Sequence, residues 1–444
     1  MTVQRAGDAP GERLRLPFTV IDESVHLLDT AAEPWTIQCE LGLEGRLDGD
    51  RLDRAVTAGL DRHPMARVRQ LPARHRDRTW SWEVPAGADV EPLSTVEWDD
   101  EDTLNKARAE FYSLPVPLVE SPPLRLRLAR GLRRDVLMLS ANHAAFDGFG
   151  CLRLLHSVAR AYRGVDDPPP PVDLSEARDV VRLLDAGDPN TRRNRSRALA
   201  DKATDLLSRP TPLAPDGGRD LPGFGFHQVA LSEVATATLG DGKATVNDLL
   251  VAALHLAIDA WNAERHVRSG RIGVLVPMNF RPKEWRQDVV TNFVLNARVA
   301  TSAAERRDPA GALEAVTKES ERLKEGGGAA LVEVLGGAGS LPLWAKEPLS
   351  PLLWLTGNRL VDSAILSNLG QVSEPPSFGS DGGETTELWF SAPCRMPCAV
   401  SIGAATVEKR LHLAFRYRHA ALGAAAARRF ADCYLGELER VVAV

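Results

Sequence analysis

The sequence predicts a mixed α/β (α+β) fold arranged in two lobes. Strand-like and helix-like segments occur in both halves of the 444-residue chain, and a proline-rich stretch at residues 164–222 separates them. A chain of this length with 44% hydrophobic residues can bury one large core or two ordinary ones. We therefore assign residues 1–175 to a first lobe, residues 176–222 to a connection, and residues 223–444 to a second lobe.

In the first half, two alternating segments and one continuous apolar segment predict three strands. Residues 37–43 place apolar side chains at every second position, which is typical of a half-buried strand, and residues 124–128 repeat this pattern. Residues 136–139 are apolar without interruption and indicate a strand buried on both faces. An amphipathic helix is predicted to begin after Asp48 and to end before Pro64, because proline disfavours helical geometry in the preceding residue.

The second half begins with a strongly marked helix. Thr245 and Asp248 match an N-terminal capping pair, and residues 249–261 are apolar on nearly all sides, so this helix is expected to be deeply buried. Strands and a closing helix follow. The predicted strands are residues 272–276, 293–299, 365–366 and 411–417, and the last helix begins after Leu422.

Composition and charge exclude several classes of protein. A net charge of −6 and a pI near 6.0 argue against a nucleic-acid partner, which needs a basic face. No segment reaches the roughly 18 apolar residues of a membrane span, and the first residues lack the apolar core of a secretory signal. Five cysteines fit a reducing cytosol, so a cytoplasmic protein is expected. Cys394 and Cys398 have no neighbouring histidines, and neither a metal nor a resident cofactor is predicted.

The most informative segment is the turn from Asn142 to Gly148, whose sequence is Asn-His-Ala-Ala-Phe-Asp-Gly. It lies between the strand at residues 136–139 and a predicted helix, and catalytic side chains commonly lie where a strand opens into a loop. His143 is the candidate general base, because imidazole accepts a proton near neutral pH. Asp147 is interpreted as locking the turn through an ion pair, and Gly148 as allowing close approach at a helix N-terminus. A structural core histidine is the alternative.

The pattern His-x-x-x-Asp-Gly after an apolar strand resembles the signature of the chloramphenicol acetyltransferase and condensation-domain superfamily. Trehalose-lipid and phthiocerol acyltransferases and wax ester synthases share this signature. Other segments resemble the superfamily in the expected order over residues 15–440. They are Arg62-His63-Pro64, Thr245-Val246-Asn247-Asp248, Pro277-Met278-Asn279-Phe280-Arg281-Pro282, Asn292-Phe293 and Ser367-Asn368-Leu369-Gly370.

The resemblance implies two similar lobes that form a V with a central tunnel, and a crossover segment in the second lobe. His143 would lie at the middle of the tunnel. An acyl thioester, carried by coenzyme A or by a phosphopantetheinyl carrier protein, would enter from one face, and an amine or alcohol acceptor from the other. His143 would remove the proton from the attacking nitrogen or oxygen, in a reaction of bacterial specialised metabolism.

The resemblance also assigns a partner to Asp147. Arg281 stands in the family's Asn-x-Arg turn, which begins at Asn279, and would form the ion pair that locks the catalytic turn. The alternative for Arg281 is a residue of a surface turn.

Donors for the tetrahedral oxyanion are implied in the same way. They are the amide of Gly148 and the side chain of Ser367 or Asn368, and such a donor contributes about 3 kcal/mol to lowering the barrier. The structural interpretation of Ser367 and Asn368 is a turn that ends a strand.

The sequence departs from the family at Asn142, where many members carry a first histidine. Chloramphenicol acetyltransferase-like members use the second histidine as the base, so acyl transfer remains the expected reaction. Two alternatives stay open: a cyclisation or other carbon-bond step with His143 as base, and a non-catalytic member that binds a carrier protein. His156 and His255 are interpreted as packing or capping groups. The basic run 192–197 either docks an acidic partner or is a solvated linker.

Overall fold

The structure, a computed structural model, describes a defined part of the chain. The described residues are 14–170, 172–180, 182, 209–219, 221–233, 239, 244–285, 288–326, 339, 341–347 and 361–444. Much of the predicted connection at residues 176–222, including the basic run 192–197, lies outside them. Within these ranges, no helix combines the length and the hydropathy needed to cross a membrane.

The first half contains every strand and helix predicted for it, together with short strands and helices that the pattern did not indicate. Its elements are β1 (Arg15–Pro17), α1 (Val20–His26), β2 (Thr36–Leu43), α2 (Gly49–Arg62), β3 (Arg69–Gln70), β4 (Ser81–Glu83), β5 (Leu93–Glu97), α3 (Glu101–Tyr112), β6 (Leu124–Arg130), β7 (Asp135–Asn142), α4 (Gly148–Arg163) and α5 (Leu174–Ala177).

The second half likewise contains the predicted strands and helices. Its elements are β8 (Phe224–Ala230), α6 (Val246–Glu264), β9 (Ile272–Asn279), β10 (Val294–Thr301), α7 (Pro309–Gly326), α8 (Leu343–Lys346), β11 (Ala364–Gln371), α9 (Gly379–Gly382), β12 (Thr385–Ser391), β13 (Val400–Val407), β14 (Arg410–Arg418) and α10 (Ala424–Val442). Thr245 caps α6 as predicted, since its side chain accepts a hydrogen bond from the Asp248 amide.

Two large sheets form the centres of the two lobes. The strand order is β12-β2-β7-β6-β5 in the first sheet and β10-β9-β11-β13-β14-β8 in the second. Strand β5 is parallel to β6, and β11 is parallel to both β9 and β13, whereas the other pairs in these two sheets are antiparallel. Helices α2 and α4 pack on the first sheet, and α6 and α10 on the second. The mixed α/β architecture is therefore confirmed.

Strand β12 belongs to the second half of the chain but lies in the first sheet. It pairs antiparallel with β2, in a register that places Trp389 opposite Glu40. Without β12, β2 would be an edge strand with unpaired backbone groups. The second half of the chain thus completes the sheet of the first lobe.

The expectation that residues 37–43 form a half-buried strand is wrong, because β2 is buried on both faces. Its apolar residues face α2 and α4, while its polar residues face side chains that the sequence pattern cannot reveal. Glu40 accepts hydrogen bonds from Arg108 at 2.7 and 2.8 Å, and Gln38 accepts one from Arg416 of β14 at 3.2 Å. The polar face of this strand is therefore buried against α3 and against the second lobe rather than exposed to solvent.

Part of the predicted connection packs into the second lobe. Leu213 and Ala214 are buried in the core that surrounds α6. Trp261 of that helix donates a hydrogen bond from Nε1 to the Ala214 carbonyl oxygen at 2.9 Å. Residues 209–219 are thus held by the second core, although their proline content marked them as linker.

The contact between β12 and β13 depends on a glycine. A Cβ atom added to Gly403 would lie 1.7 Å from the carbonyl oxygen of Phe390, a backbone atom that cannot rotate away. We therefore expect Gly403→Ala to force the two strands apart and to lower the free energy of unfolding by about 1–3 kcal/mol or more, measured by denaturant titration. Gly436→Ala is the control, because no heavy atom lies within 4 Å of the added Cβ and alanine favours a helix. Equal stability of the Gly403 variant and the wild type would contradict this packing.

Candidate active site

The turn between β7 and α4 is built from buried residues. Every residue of β7 is buried, and the strand ends at Asn142. Helix α4 begins at Gly148, with Asp147 as its N-cap: the Asp147 Oδ1 atom accepts a hydrogen bond from the Gly150 amide at 2.7 Å. The four residues between the strand and the cap are therefore held at both ends, and His143 is one of them.

The ring of His143 has a defined orientation and is 5% exposed. Its Nδ1 atom lies 2.8 Å from the Phe146 carbonyl oxygen. Because a carbonyl oxygen can only accept, Nδ1 carries the proton in the neutral ring and Nε2 keeps its lone pair. Nε2 makes no hydrogen bond to a described residue. Burial lowers the pKa of His143 below 6.5, against the opposing effects of the Phe146 carbonyl and the Asp147 charge.

Asn142 has a structural environment rather than a catalytic one. Its Nδ2 atom donates to Asp29 Oδ2 at 2.8 Å and to the Val116 carbonyl oxygen at 2.9 Å, and its Oδ1 atom accepts from the Ala144 amide at 3.0 Å. All three bonds stay within the first lobe. Asn142, at the position where the superfamily pattern has a first histidine, therefore holds the turn against the rest of the first lobe.

The expected ion pair between Asp147 and Arg281 is present. Arg281 Nη2 donates to both carboxylate oxygens of Asp147, at 2.6 and 2.7 Å, and neither side chain is exposed. The amide of Phe293 also donates to Asp147 Oδ2 at 3.0 Å. Arg281 further donates to the carbonyl oxygens of Val289 and Thr291. A segment of the second lobe thus surrounds the aspartate of the first.

Asn292 contacts the turn that carries His143, a contact that sequence reasoning missed. Its Nδ2 atom donates to the His143 carbonyl oxygen at 2.7 Å and lies 3.5 Å from His143 Nδ1. The backbone of His143 is also held from the first lobe, where its amide donates to the Trp35 carbonyl oxygen at 3.1 Å. The segment Asn292-Phe293 was a marker of resemblance, but nothing in the sequence indicated that this asparagine faces His143.

Gly148 lies at the contact between the lobes. A Cβ atom at this position would lie 2.6 Å from Leu369 Cδ2 and 3.0 Å from a ring carbon of Phe390. Both side chains come from the second half of the chain, on β11 and β12. The glycine is therefore required by the approach of these side chains to the first residue of α4.

The structure separates the two oxyanion candidates on β11. Ser367 shares a strand face with Leu369, which packs in the first core, whereas Leu366 packs in the second. The buried Ser367 hydroxyl makes no hydrogen bond to a described residue. The Asn368 side chain lies on the opposite face of β11, where its Oδ1 atom accepts from the Gly370 amide at 2.8 Å. Ser367 therefore faces the first lobe, and Asn368 stabilises a turn.

Three other sequence candidates have structural environments. Asn279 is exposed, and its Oδ1 atom accepts from the Arg281 amide at 3.0 Å, which shapes the turn that presents the arginine. His255 is fully buried in α6 and shares a hydrogen bond with Thr301 Oγ1 at 2.7 Å. His156 lies within α4, and burial lowers its pKa to about 4. The two histidines fit their interpretation as packing groups.

Known structures share this fold over nearly the whole chain. The epimerization domain from the third module of tyrocidine synthetase B has a TM-score of 0.69 and 15% identity, with 99% of this chain and 98% of that chain covered. The first condensation domain of the calcium-dependent antibiotic synthetase has a TM-score of 0.68 and 15% identity, covering 97% of both chains. The TRI3 trichothecene 15-O-acetyltransferase of Fusarium sporotrichioides has a TM-score of 0.70 and 12% identity, covering 98% and 97%. The chain therefore shares the fold of these epimerization, condensation and acetyltransferase proteins.

Sequence comparison places the chain within a narrower group. No family model matches the sequence. The uncharacterized protein Rv2305 of Mycobacterium tuberculosis is 37% identical over 426 residues, which cover 94% of this chain and 98% of the relative. The uncharacterized protein MT2362 of another strain of the same species matches equally. The chain belongs to the family of these two mycobacterial proteins.

The buried pair predicts a coupled stability effect. Asp147→Ala leaves the Arg281 charge buried without its carboxylate, and Arg281→Ala leaves the Asp147 charge in the same state. Each change should lower the free energy of unfolding by about 3–5 kcal/mol, and the double variant should lose less than the sum of the two. Arg440→Ala, which removes an exposed partner of Glu437, should cost less than about 1 kcal/mol. Additive effects in denaturant titrations would contradict the coupling.

Proposed function

We propose that this protein is an acyltransferase that joins the acyl group of a thioester to an amine or a hydroxyl, with His143 as the general base. The observation that supports this proposal most directly is the orientation of the His143 ring. Nδ1 faces a carbonyl oxygen, which leaves the lone pair on Nε2, the state that a general base requires. The fold and its structural neighbours, which include condensation domains and an acetyltransferase, are consistent with this chemistry.

In the proposed reaction, Nε2 of His143 removes the proton as the acceptor nitrogen or oxygen attacks the thioester carbonyl. The new carbon–nitrogen or carbon–oxygen bond gives a tetrahedral oxyanion. Collapse of this intermediate breaks the carbon–sulfur bond, and the proton held on Nε2 passes to the departing thiolate. His143 ends the cycle neutral, as it began.

The oxyanion needs hydrogen-bond donors that are not already bonded to other groups of the protein. The hydroxyl of Ser367 meets this condition, because it lies on the face of β11 that points to the first lobe and has no described partner. The Gly148 amide, at the start of α4, is the second candidate. Asn368 is less suitable, because its side chain lies on the face of β11 opposite Ser367, where its Oδ1 atom accepts from the Gly370 amide.

The co-substrates follow from the same proposal. The donor is an acyl-coenzyme A or an acyl group on a phosphopantetheinyl carrier protein, and the acceptor is a small amine or alcohol, in the cytoplasm and within bacterial specialised metabolism. The neighbours include domains of multi-module synthetases, which supports the carrier protein as a donor handle. Neither a metal nor a resident cofactor takes part in the proposed steps.

Thiol release separates acyl transfer from the alternatives. Neighbours named as epimerization and cyclization domains show that this fold is found in proteins of other chemistry. A synthetic acyl thioester incubated with the protein and a panel of amines and alcohols should release free thiol only when an acceptor is present, and intact-mass analysis should detect the acylated acceptor. Product without thiol release would favour a carbon-bond step, and no reaction with any pair would favour a non-catalytic member.

Replacement of His143 tests the base. His143→Ala should lower kcat about 10²- to 10⁴-fold without a large change in melting temperature. His156→Ala, which changes another histidine near the turn, should retain turnover.

The pH profile of the wild type provides a second measurement of the same role. Because burial places the pKa of His143 below 6.5, the rate should stay constant through the neutral range and fall only as the pH drops through the lowered pKa. If the His143→Ala variant kept full turnover, His143 would not be the general base.

Replacement of Ser367 tests the oxyanion donor. Ser367→Ala should lower kcat about 10²- to 10³-fold with little change in KM, because the donor acts on charge that develops only in the transition state. Asn368→Ala is the matched control and should affect stability more than rate, since it removes the bond to the Gly370 amide. A reversed pattern would move the oxyanion donor to Asn368.

A further inference from the structure

The carboxylate of Asp29 is a half-buried charge in the segment between α1 and β2. Burial raises its pKa above the ordinary value of 3.8, although hydrogen bonds from the Trp35 amide and the Asn142 side chain oppose this effect. It forms no ion pair with a described residue. A carboxylate that is partly removed from water without a cation is kept at a cost in free energy, so its hydrogen-bond partners indicate what it does for the protein.

One oxygen of Asp29 helps to fix the orientation of the Asn142 amide. Oδ2 accepts from Nδ2 of Asn142 at 2.8 Å, and the Val116 carbonyl oxygen accepts from the same nitrogen at 2.9 Å. Because a carboxylate and a carbonyl oxygen can only accept, Nδ2 must face them and Oδ1 must face the other way. There Oδ1 accepts from the Ala144 amide at 3.0 Å. The residues on either side of His143 are thus joined through one side chain, whose orientation depends on Asp29.

The other oxygen of Asp29 acts on His143 by a second route. Oδ1 accepts from the Trp35 amide at 2.8 Å, and the carbonyl oxygen of Trp35 accepts from the His143 amide at 3.1 Å. Trp35 directly precedes β2, whose first residue pairs with Asn142 at the end of β7. Both routes from the carboxylate therefore end on the three consecutive residues 142, 143 and 144, and each passes through a single intervening residue.

The contact with Asp29 also gives a reason for an asparagine at position 142, where the superfamily pattern has a histidine. The Asn142 side chain donates two hydrogen bonds and accepts one. A neutral imidazole has one N–H and one lone pair, and an imidazolium has two N–H groups and no acceptor, so neither can make all three bonds. The surroundings of position 142 in this chain therefore require a carboxamide, and Asp29 is one of the groups that require it.

We propose that Asp29 is a positioning residue for His143, which acts through Asn142 and Trp35 on the backbone that carries the imidazole. This inference rests on the proposed role of His143 as general base, and adds a residue that lies outside the sequence motif. A general base must lie within hydrogen-bond reach of the proton that it removes, and a displacement of about 1 Å can cost about 10²-fold in rate. Asp29 contributes to turnover by preventing such a displacement.

Turnover of two aspartate variants separates positioning from general stability. Asp29→Ala should lower kcat for thiol release about 10²-fold with little change in KM, because the base moves while the substrates still bind. Asp135→Ala is the matched control: burial also raises the pKa of this carboxyl, which accepts from the Leu47 amide at 2.8 Å but lies at the opposite end of β7. It should lower the melting temperature and keep kcat. An unchanged kcat in Asp29→Ala, or an equal loss in both variants, would overturn the proposal.

A reciprocal exchange tests whether Asp29 acts through Asn142. Asn142→Asp alone places two carboxylates against each other. Adding Asp29→Asn lets the new amide at position 29 donate to the new carboxylate at position 142 and accept from the Trp35 amide, and only the Val116 carbonyl oxygen loses its donor. The double variant should therefore have a kcat about tenfold higher than Asn142→Asp, a coupling within the range for groups in contact. A double variant no more active than Asn142→Asp would contradict this route.

Nitrogen NMR of the protein labelled with ¹⁵N-histidine makes the result independent of turnover. The chain has ten histidines, and the signals absent from His143→Ala identify that residue. In Asp29→Ala the turn should loosen and the bond from Nδ1 to the Phe146 carbonyl oxygen should weaken, so the His143 signals should shift towards a mixture of tautomers. Asp135→Ala should leave them unchanged. Unchanged signals in Asp29→Ala would overturn the positioning role. Shifted signals in a protein that transfers no acyl group would retain the positioning role and reject the proposed function.

Discussion

The bond between Asp147 and Arg281 is the interaction on which the candidate site depends. A single carboxylate, with no exposure to solvent, caps α4 through the Gly150 amide, accepts the Phe293 amide, and binds a guanidinium from the other lobe. Breaking such a buried pair is costly, and the backbone carbonyls of residues 289 and 291 further stabilise Arg281 by accepting from Nη1 and Nη2, while its Nε has no partner among the described residues. The pair therefore sets both the start of the helix and the position of the second lobe.

A second constraint acts on the histidine itself. The ring of His143 is held by the carbonyl oxygen of Phe146 within its own turn, and its backbone is held by Trp35 from one lobe and Asn292 from the other. Burial disfavours the protonated ring, which opposes the attraction of the nearby aspartate. The Phe146 carbonyl therefore contributes both to the position of the ring and to its protonation state.

The parts of this arrangement that depend on local sequence pattern could be predicted from the sequence alone. Buried strands and amphipathic helices have hydrophobic patterns that can be recognised without knowing which segments pack against them. For this reason β7, α4 and α6 were predictable. The pairing of Asp147 with Arg281 came from resemblance, and the structure contains it. The burial of the polar face of β2, the contact of Asn292 with His143 and the orientation of Ser367 arise from residues far apart in the chain. No local pattern encodes such contacts.

The position of β12 affects how the chain reaches this structure. The first sheet pairs a strand from residues 36–43 with one from residues 385–391. The hydrogen bonds that add β12 to this sheet therefore join segments that are separated by most of the polypeptide. Loop closure over such distances is entropically costly, and folds rich in distant contacts form slowly. The lobes are consequently not independent folding units. A first half made alone would present an open sheet edge to other chains, which makes assembly of the native protein a competition with aggregation.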